Sequence, residues 1–435
     1  MLIYGTPSNK IKSAIEDFNP DVVGITIPFS TQISNAVEIS RICKDVNPEI
    51  KVVFGGPHTS VRYNLLLKDG LCDLCVVGEG EETFLELVER FKSGCSIKGV
   101  EGLAYMDGGK LCYESRRFIN NLDDLPLPAY ELINVNDYIK SPYLYIDRSR
   151  IHKNSISMIT SRGCPYNCIF CSIRLHMGKG FRFNSPEYVI KHLKLLTERY
   201  GIRNFHFEDD NISFSPKRFE RILDGIIDNK LKIKWDTPNG IRADTLNKEL
   251  LKKIKKSGCK ELIIAIESGS QRVLDYIIKK KTSLDRIMEV IRECKRLGIK
   301  LSSFYVIGFP GESIKEMRKT ADLALMLLRS YDVIPNLFVA TPLYGTDLYN
   351  TCVEEGIISE DISEEEFLGS SSINGEPLIS TKDFTKDDIK DILRYYKEKR
   401  KKELLSYYIR NPFHSAEIIM NKPVLIKRLF RFLSG

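Results

Sequence analysis

No apolar run in this 435-residue chain reaches the ~20 residues that a membrane-spanning helix requires. The opening Met1-Leu2-Ile3-Tyr4-Gly5 lacks a basic segment followed by a long apolar stretch, the pattern of a secretory signal. The expectation is therefore a cytoplasmic protein. No low-complexity tract and no repeat of fixed period is present, which argues against disordered and solenoid architectures. An excess of one charge is also missing from most of the chain. Residues 386–435 hold 13 Lys/Arg and 6 Asp/Glu, and the rest balances at 52 of each. The formal net charge of +7 thus belongs to the C-terminal tail. Eleven cysteines in such a protein point to metal or redox chemistry rather than disulfides. The length predicts two or three domains.

Residues 1–110 read as a Rossmann-like α/β domain. Asp21–Ile27, Lys51–Phe54 and Leu74–Val77 are short β-branched runs of the buried parallel type. Helices are expected over 32–46 and 82–92, and glycine-rich turns join the strands to them. Residues 111–150, with Pro126, Pro128 and Pro142, form a connector. From 151 to 365 a second βα series has strands expected near 156–161, 203–208, 233–237, 261–266, 300–307 and 333–340. Ser215-Pro216 starts one of its helices and Gly258 stops another, while Ile287, Val290, Ile291, Cys294 and Leu297 stripe a third. Six strand–helix repeats predict a partial (β/α)6 barrel of the TIM type. Residues 366–435 are expected to be helical and basic.

Three thiols crowd into Cys164-Pro165-Tyr166-Asn167-Cys168-Ile169-Phe170-Cys171, directly after the first barrel strand. Short loops of this kind wrap iron–sulfur clusters, and Gly163 and Pro165 permit the tight turn. Electron-transfer cubanes take four cysteines, and structural zinc takes four ligands from paired motifs. Three ligands leave one iron open. A zinc site completed by His176 is the competing reading, but the second half of a zinc motif is missing.

This Cys-x-x-x-Cys-x-x-Cys loop resembles the signature of the radical S-adenosylmethionine (SAM) superfamily. The resemblance implies a [4Fe–4S] cluster on Cys164, Cys168 and Cys171 whose open iron binds the amino and carboxylate groups of SAM. Reductive cleavage then releases a 5′-deoxyadenosyl radical. It also implies an electron donor such as ferredoxin or flavodoxin. Phe170 would lie beside the adenine. Glu208, Asp209 and Asp210 close the second strand, where the family places acceptors for the SAM ammonium. Glu267 and Ser268, in an Glu-Ser-Gly element, end the fourth strand. Gly308 and Pro310 end the fifth, and Arg242 follows the third. An acidic stretch ahead of Ser215-Pro216 also suits a plain helix N-terminus.

The N-terminal series resembles the cobalamin-binding domain of one large class in that superfamily. Its matching residues are Gly55, Gly56 and His58, then Gly78, Glu79 and Gly80. Only 20 residues precede Asp21, so a shortened version of that domain is expected. No Asp-x-His-x-x-Gly motif is present, and His58 is not assigned as a cobalt ligand. The class implies C-methylation, or a related modification, of a small natural-product or lipid-like substrate. Two other readings stand beside it. One is a methylthiotransferase for tRNA or a ribosomal protein, for which Cys43, Cys72 and Cys75 are unsuitably placed. The other is a non-catalytic binding protein of the same fold. The remaining cysteines, including Cys259 and Cys294, read as packing residues. In the tail, the run Lys397 to Lys402 and the mixed segment Lys427 to Leu433 suggest a solvated helical face or a peripheral membrane contact. Nucleic acid ranks third.

Overall fold

The structure is a computed structural model that describes residues 5–115, 117–139, 154–360, 362, 364–370 and 376–411. It divides into two compact units. The first comprises Met1–Asn120, Gly163–Phe181 and Thr341–Asn374, and the second Asn121–Arg162, Arg182–Ala340 and Gly375–Gly435.

In the first unit, α1 (Ser8–Phe18) leads to β1 (Val22–Thr26), α2 (Ile33–Val46), β2 (Lys51–Gly55), α3 (Pro57–Lys68), β3 (Leu74–Val76) and α4 (Glu81–Ser93). The strands pair in parallel in the order β1-β2-β3. Alternate strand residues bury opposite faces. Val52, Phe54 and Cys75 join Ile15, Ile33 and Leu67 in one core, whereas Val53, Leu74 and Val76 join Leu87 in the other. Helices thus cover both faces, as the Rossmann-like reading requires.

Two features go beyond the sequence expectation. The helix α1 precedes the first strand, and a hairpin, β4 (Leu103–Asp107) with β5 (Lys110–Tyr113), extends the sheet antiparallel to β3. Its turn is Gly108-Gly109 with φ of 57° and 82°, the two left-handed residues that a tight hairpin needs.

Small elements follow: α5 (Val135–Ile139) in the second unit and α6 (Ile173–His176) in the first. The second unit carries β6 (Ser155–Met158), a short antiparallel pair β7 (Ser161–Arg162) and β8 (Arg182–Phe183), α7 (Pro186–Arg199), β9 (Asn204–Phe207) and α8 (Pro216–Asp228). There follow β10 (Lys234–Asp236), α9 (Lys248–Lys256), β11 (Cys259–Glu267), α10 (Leu284–Leu297), β12 (Lys300–Ile307), α11 (Ile314–Tyr331) and β13 (Ile334–Val339). The sheet order β13-β12-β11-β10-β9-β6 is parallel throughout, so all strand carboxyl ends lie along one edge. All six expected strands are present. On the outer face of the sheet, Trp235, the chain's one tryptophan, packs edge-on against Phe207 and Phe219 at 5.5 and 6.0 Å.

Helices α12 (Asp347–Glu354) and α13 (Glu364–Ser370) return to the first unit, and α14 (Lys386–Arg410) belongs to the second. The helix α14 opens on a capping box between Thr385 and Asp388 and buries Ile389, Ile392, Leu393, Tyr396, Leu404 and Tyr407. Lys397, Lys399 and Lys402 are exposed, and Arg400 Nε donates to the Pro335 carbonyl at 3.2 Å. The basic run is therefore the solvated side of a packed helix. The segment Lys427 to Leu433 lies outside the described residues. Among those described, no helix is long and apolar enough to cross a membrane.

Candidate active site

The cysteine loop is shaped by its glycine. Gly163 has φ +81°, and a Cβ there would sit 2.2 Å from the Gly180 carbonyl oxygen, so no side chain fits. Cys171 N–H donates to the Cys168 carbonyl at 3.0 Å, which turns the chain between these two thiols. The loop is braced within its own unit. Arg174 pairs with Asp347 and donates to Asn167 Oδ1 at 3.2 Å, and Leu348 N–H donates to the Ile169 carbonyl at 2.9 Å. Leu175 packs against Gly345, whose other neighbour is Val61 of α3. The helix that follows Gly55-Gly56 thus lies against α6, the short helix that begins two residues after Cys171.

Cys164, Cys168 and Cys171 are half-buried and outside any disulfide. Among the described residues no three His, Cys, Asp or Glu side chains stand at ion-ligating spacing. The donor chemistry nevertheless fits an iron–sulfur cluster: three soft thiolates on one short, glycine-turned loop. The other cysteines behave differently. Cys43, Cys72 and Cys75 belong to one hydrophobic core, with the Cys72 and Cys75 sulfurs 3.5 Å apart. Burial pushes the Cys294 thiol up to about 12 and raises that of Cys259.

In the second unit the sequence-predicted SAM residues fall at strand carboxyl ends, but they do not all present free groups. Asp209 is 2 % exposed, and its Oδ1 accepts from Thr160 N–H at 3.2 Å, Thr160 Oγ1 at 2.8 Å and the Ser161 hydroxyl. Burial raises its pKa against these bonds and the nearby Arg218 charge. Arg218 is also buried, donates to the Thr160 carbonyl at 2.7 Å, and is lowered to about 10 by desolvation. Asp209 therefore fixes the segment that leads into the cysteine loop, a role that spacing alone did not reveal. Glu208 and Asp210 on either side are half-buried, and Glu208 Oε1 accepts from Ser157 Oγ at 3.3 Å. Asp209→Ala is expected to cost about 3–5 kcal/mol, because it strands the Arg218 charge in the interior. Urea denaturation measures that cost, and a loss below about 1 kcal/mol would contradict the anchoring role.

Arg242 is buried and holds Asp244 through two bonds at 3.1 and 2.8 Å, and the Lys280 carbonyl at 3.0 Å. Glu267 ends β11 with φ +70° and pairs with Lys280 Nζ at 2.8 Å. Ser268 is fully buried. Its hydroxyl accepts from Ser270 N–H at 3.1 Å and contacts Thr320 Oγ1 at 3.1 Å. A Cβ on Gly269 would meet the Lys319 carbonyl at 2.8 Å, so this turn is clamped onto α11.

Gly308 (φ +90°) and half-buried Pro310 begin the turn after β12. That turn is held by Glu312, to which the sequence alone assigns no role. Glu312 Oε2 accepts from Gly308 N–H at 2.8 Å and Phe309 N–H at 3.2 Å, and Oε1 has no partner among the described residues. Burial pushes its pKa up to about 8, so it is protonated at neutral pH. The folded state then holds a proton that the unfolded chain releases above the ordinary glutamate value. Stability is expected to fall as pH rises from about 4.5 to about 8, and to level off beyond. Glu312→Gln keeps the acceptor and removes the titration. Its thermal midpoint should gain on the wild type as pH increases through that window; a constant difference would refute the assignment.

The first unit presents the residues predicted for cobalamin at the carboxyl ends of β2 and β3. Gly56 has φ +92°, and a Cβ there would lie 2.8 Å from Thr26 Oγ1 and 3.0 Å from Ile27 N. Gly55 and Gly80 leave room instead, with nearest neighbours at 4.0 and 3.4 Å. His58 is 3 % exposed and meets Ser30 Oγ through Nδ1 at 2.9 Å, while Nε2 has no partner among the described residues. Burial, and secondarily Arg62, lower its pKa to about 4, so it is neutral. Gly78 (φ +88°) donates its N–H to Ser60 Oγ at 2.9 Å, and Glu79 Oε2 accepts from Ile119 N–H at 2.9 Å. Backbone at two glycine-lined strand ends and a buried neutral imidazole with an open nitrogen fit a bulky, polar-fringed group such as a corrinoid.

Comparison with known proteins agrees with this geometry. Residues 158–324 match the radical SAM superfamily model, and residues 3–88 match the B12-binding domain model. An uncharacterized methyltransferase of Pyrococcus horikoshii is 33% identical over 97% of this chain and 86% of its own length. The cytidylyl-2-hydroxyethylphosphonate methyltransferase of Streptomyces wedmorensis is 31% identical over 83% of this chain and 72% of its own. The fold resembles that of the radical SAM methyltransferase TsrM from Kitasatospora setae, solved with cobalamin and a [4Fe–4S] cluster. The TM-score is 0.64 at 16% identity, covering 79% of this chain and 67% of that one. The chain belongs to the radical S-adenosylmethionine superfamily, in the class whose barrel follows a B12-binding domain, and it is an enzyme of the methyltransferase type with SAM, a [4Fe–4S] cluster and cobalamin as cofactors.

Proposed function

We propose that the enzyme methylates carbon in a small natural-product or lipid-like molecule. The observation that carries this reading is the packing of α3, the helix that starts at the glycine-rich end of β2, against α6, the short helix that follows the cysteines. It supports a single reaction centre served by both cofactors. The cluster supplies the electron that cleaves SAM, and cobalamin supplies a methyl group. Cys164, Cys168 and Cys171 would hold three irons, with Phe170 beside the adenine. Glu208 and Asp210 would accept from the SAM ammonium, and Glu267 would accept from a ribose hydroxyl. Asp209, Arg242 and Ser268 would shape this site through the bonds described above, and Gly308 and Pro310 would border the adenine. Gly55, Gly56, His58, Gly78, Glu79 and Gly80 would line the corrinoid rim. A ferredoxin or flavodoxin would be the electron donor.

The Streptomyces relative is named for a small nucleotidyl phosphonate, which supports a small-molecule substrate here. The test is anaerobic reconstitution with hydroxocobalamin, a reductant and SAM deuterated in its methyl group. Formation of 5′-deoxyadenosine and arrival of the deuterated methyl in the corrinoid fraction are expected. Absence of both would reject the reading.

A further inference from the structure

Three lysines, Lys279-Lys280-Lys281, follow the short helical turn Val273–Ile277. A surface run of this composition ordinarily points its charges at water. Here Lys279 and Lys281 are exposed, and Lys280 between them is 4 % exposed. The backbone is bent to achieve this. Lys279 and Lys281 take φ of +60° and +52°, conformations that L residues other than glycine rarely adopt. Lys280 N–H donates to the Leu274 carbonyl at 2.8 Å, its carbonyl accepts from buried Arg242, and Gln271 Nε2 donates to the Thr282 carbonyl at 2.8 Å. The turn is thus held on three sides with the Lys280 ammonium directed inward.

Its target is Glu267 Oε1 at 2.8 Å, with side-chain exposures of 5 % and 8 % for the two partners. Glu267 itself sits at φ +70°, at the end of the nine-residue strand β11. Four unusual features therefore meet at one contact: a buried lysine, two left-handed residues flanking it, and a left-handed glutamate. Strain of this kind persists where surrounding structure over-determines it, and it concentrates at functional sites.

We infer that Lys280 is a positioning residue for SAM binding: it pins Glu267 through Oε1, so that Oε2 is aimed to accept from a ribose hydroxyl. The inference rests on the assignment of Glu267 to SAM proposed above. The ammonium supplies the positive charge that a carboxylate in so dry a position requires. Arg242, which spends two bonds on Asp244 and one on the Lys280 carbonyl, acts on the same contact by holding the turn.

Equilibrium dialysis of SAM against the reconstituted enzyme provides the test. Glu267→Gln and Lys280→Met should each weaken SAM by about tenfold or more, the usual scale for losing a hydrogen bond to a charged group. The double variant should be no weaker than Glu267→Gln, because the two residues act through one contact. In SAM cleavage assays the KM for SAM should rise and kcat should change little, with the cluster absorbance unaltered. The loss caused by Lys280→Met should disappear when 2′-deoxy-SAM or 3′-deoxy-SAM, whichever lacks the contacted hydroxyl, replaces SAM. Wild-type affinity in Lys280→Met beside a weakened Glu267→Gln overturns the inference and leaves the SAM site intact. Wild-type affinity in Glu267→Gln overturns the site assignment itself. Should Lys280→Met fail to fold, the double variant, which buries no unpaired charge, is compared with Glu267→Gln. Equal affinities uphold the inference, and a further tenfold loss overturns it by showing that Lys280 meets the ligand directly.

Discussion

Cys168→Ala is expected to yield a folded protein that reconstitutes no stable four-iron cluster and forms no 5′-deoxyadenosine from SAM under reducing conditions. The expectation follows from the number of ligands. A loop with four thiols can lose one and still coordinate a cluster through the rest, but three thiols already leave one iron open. Removing Cys168 leaves two iron positions without a protein ligand. The fold itself should tolerate the change, because Cys168 is half-buried and the turn around it is held by backbone groups and by Arg174. Iron content, the visible absorbance of the cluster and product chromatography give the readout. A protein with about four irons and wild-type 5′-deoxyadenosine would remove Cys168 from the ligand set. Cys72→Ala is the matched control, since its thiol lies in the hydrophobic core and not in the loop. It should leave both signals in place.

Sequence and structure agree where one local rule dominates. Buried parallel strands favour short β-branched runs, and β2 (Lys51–Gly55) forms on the run Lys51–Phe54 that predicts it. The three cysteines stand out in the sequence because their spacing on one loop has few chemical uses. What escaped was set by partners distant in sequence. Asp209 reads as a ligand for SAM in an acidic strand end, yet Thr160, Ser161 and Arg218 engage it from other elements. Lys280 is one of three consecutive lysines, and only the fold distinguishes it from its neighbours. The membership of residues 163–181 and 341–374 in the first unit is likewise invisible to periodicity, because their contacts join segments far apart in the chain. The hairpin β4–β5 is a different case. Gly108-Gly109 is a readable hairpin signal, but the domain boundary expected after residue 110 cuts through its second strand.

Gly80→Leu separates cobalamin binding from folding. Gly80 stands at the start of α4 in the turn that leaves β3, and a Cβ added there meets only Val76 Cγ1 at 3.4 Å. That is an ordinary contact, and the backbone at φ −102° is open to any L residue. The substitution should therefore cost the fold no more than ~1 kcal/mol, the scale of a change at a helix cap. A ligand seated on the carboxyl ends of β2 and β3 would instead meet a branched apolar side chain where it needs close backbone approach. Hydroxocobalamin binding, followed by its visible spectrum after gel filtration, should weaken by about tenfold or more, which is ~1.4 kcal/mol or greater. Gly56→Leu is the less informative change, because its Cβ would press on Ile27 backbone atoms and disturb the sheet with the ligand site. Wild-type retention of the corrinoid by Gly80→Leu would show that the cofactor does not use this rim. Loss of the corrinoid with an unchanged thermal midpoint would place it on the glycine turns that lie in the same unit as the cysteine loop.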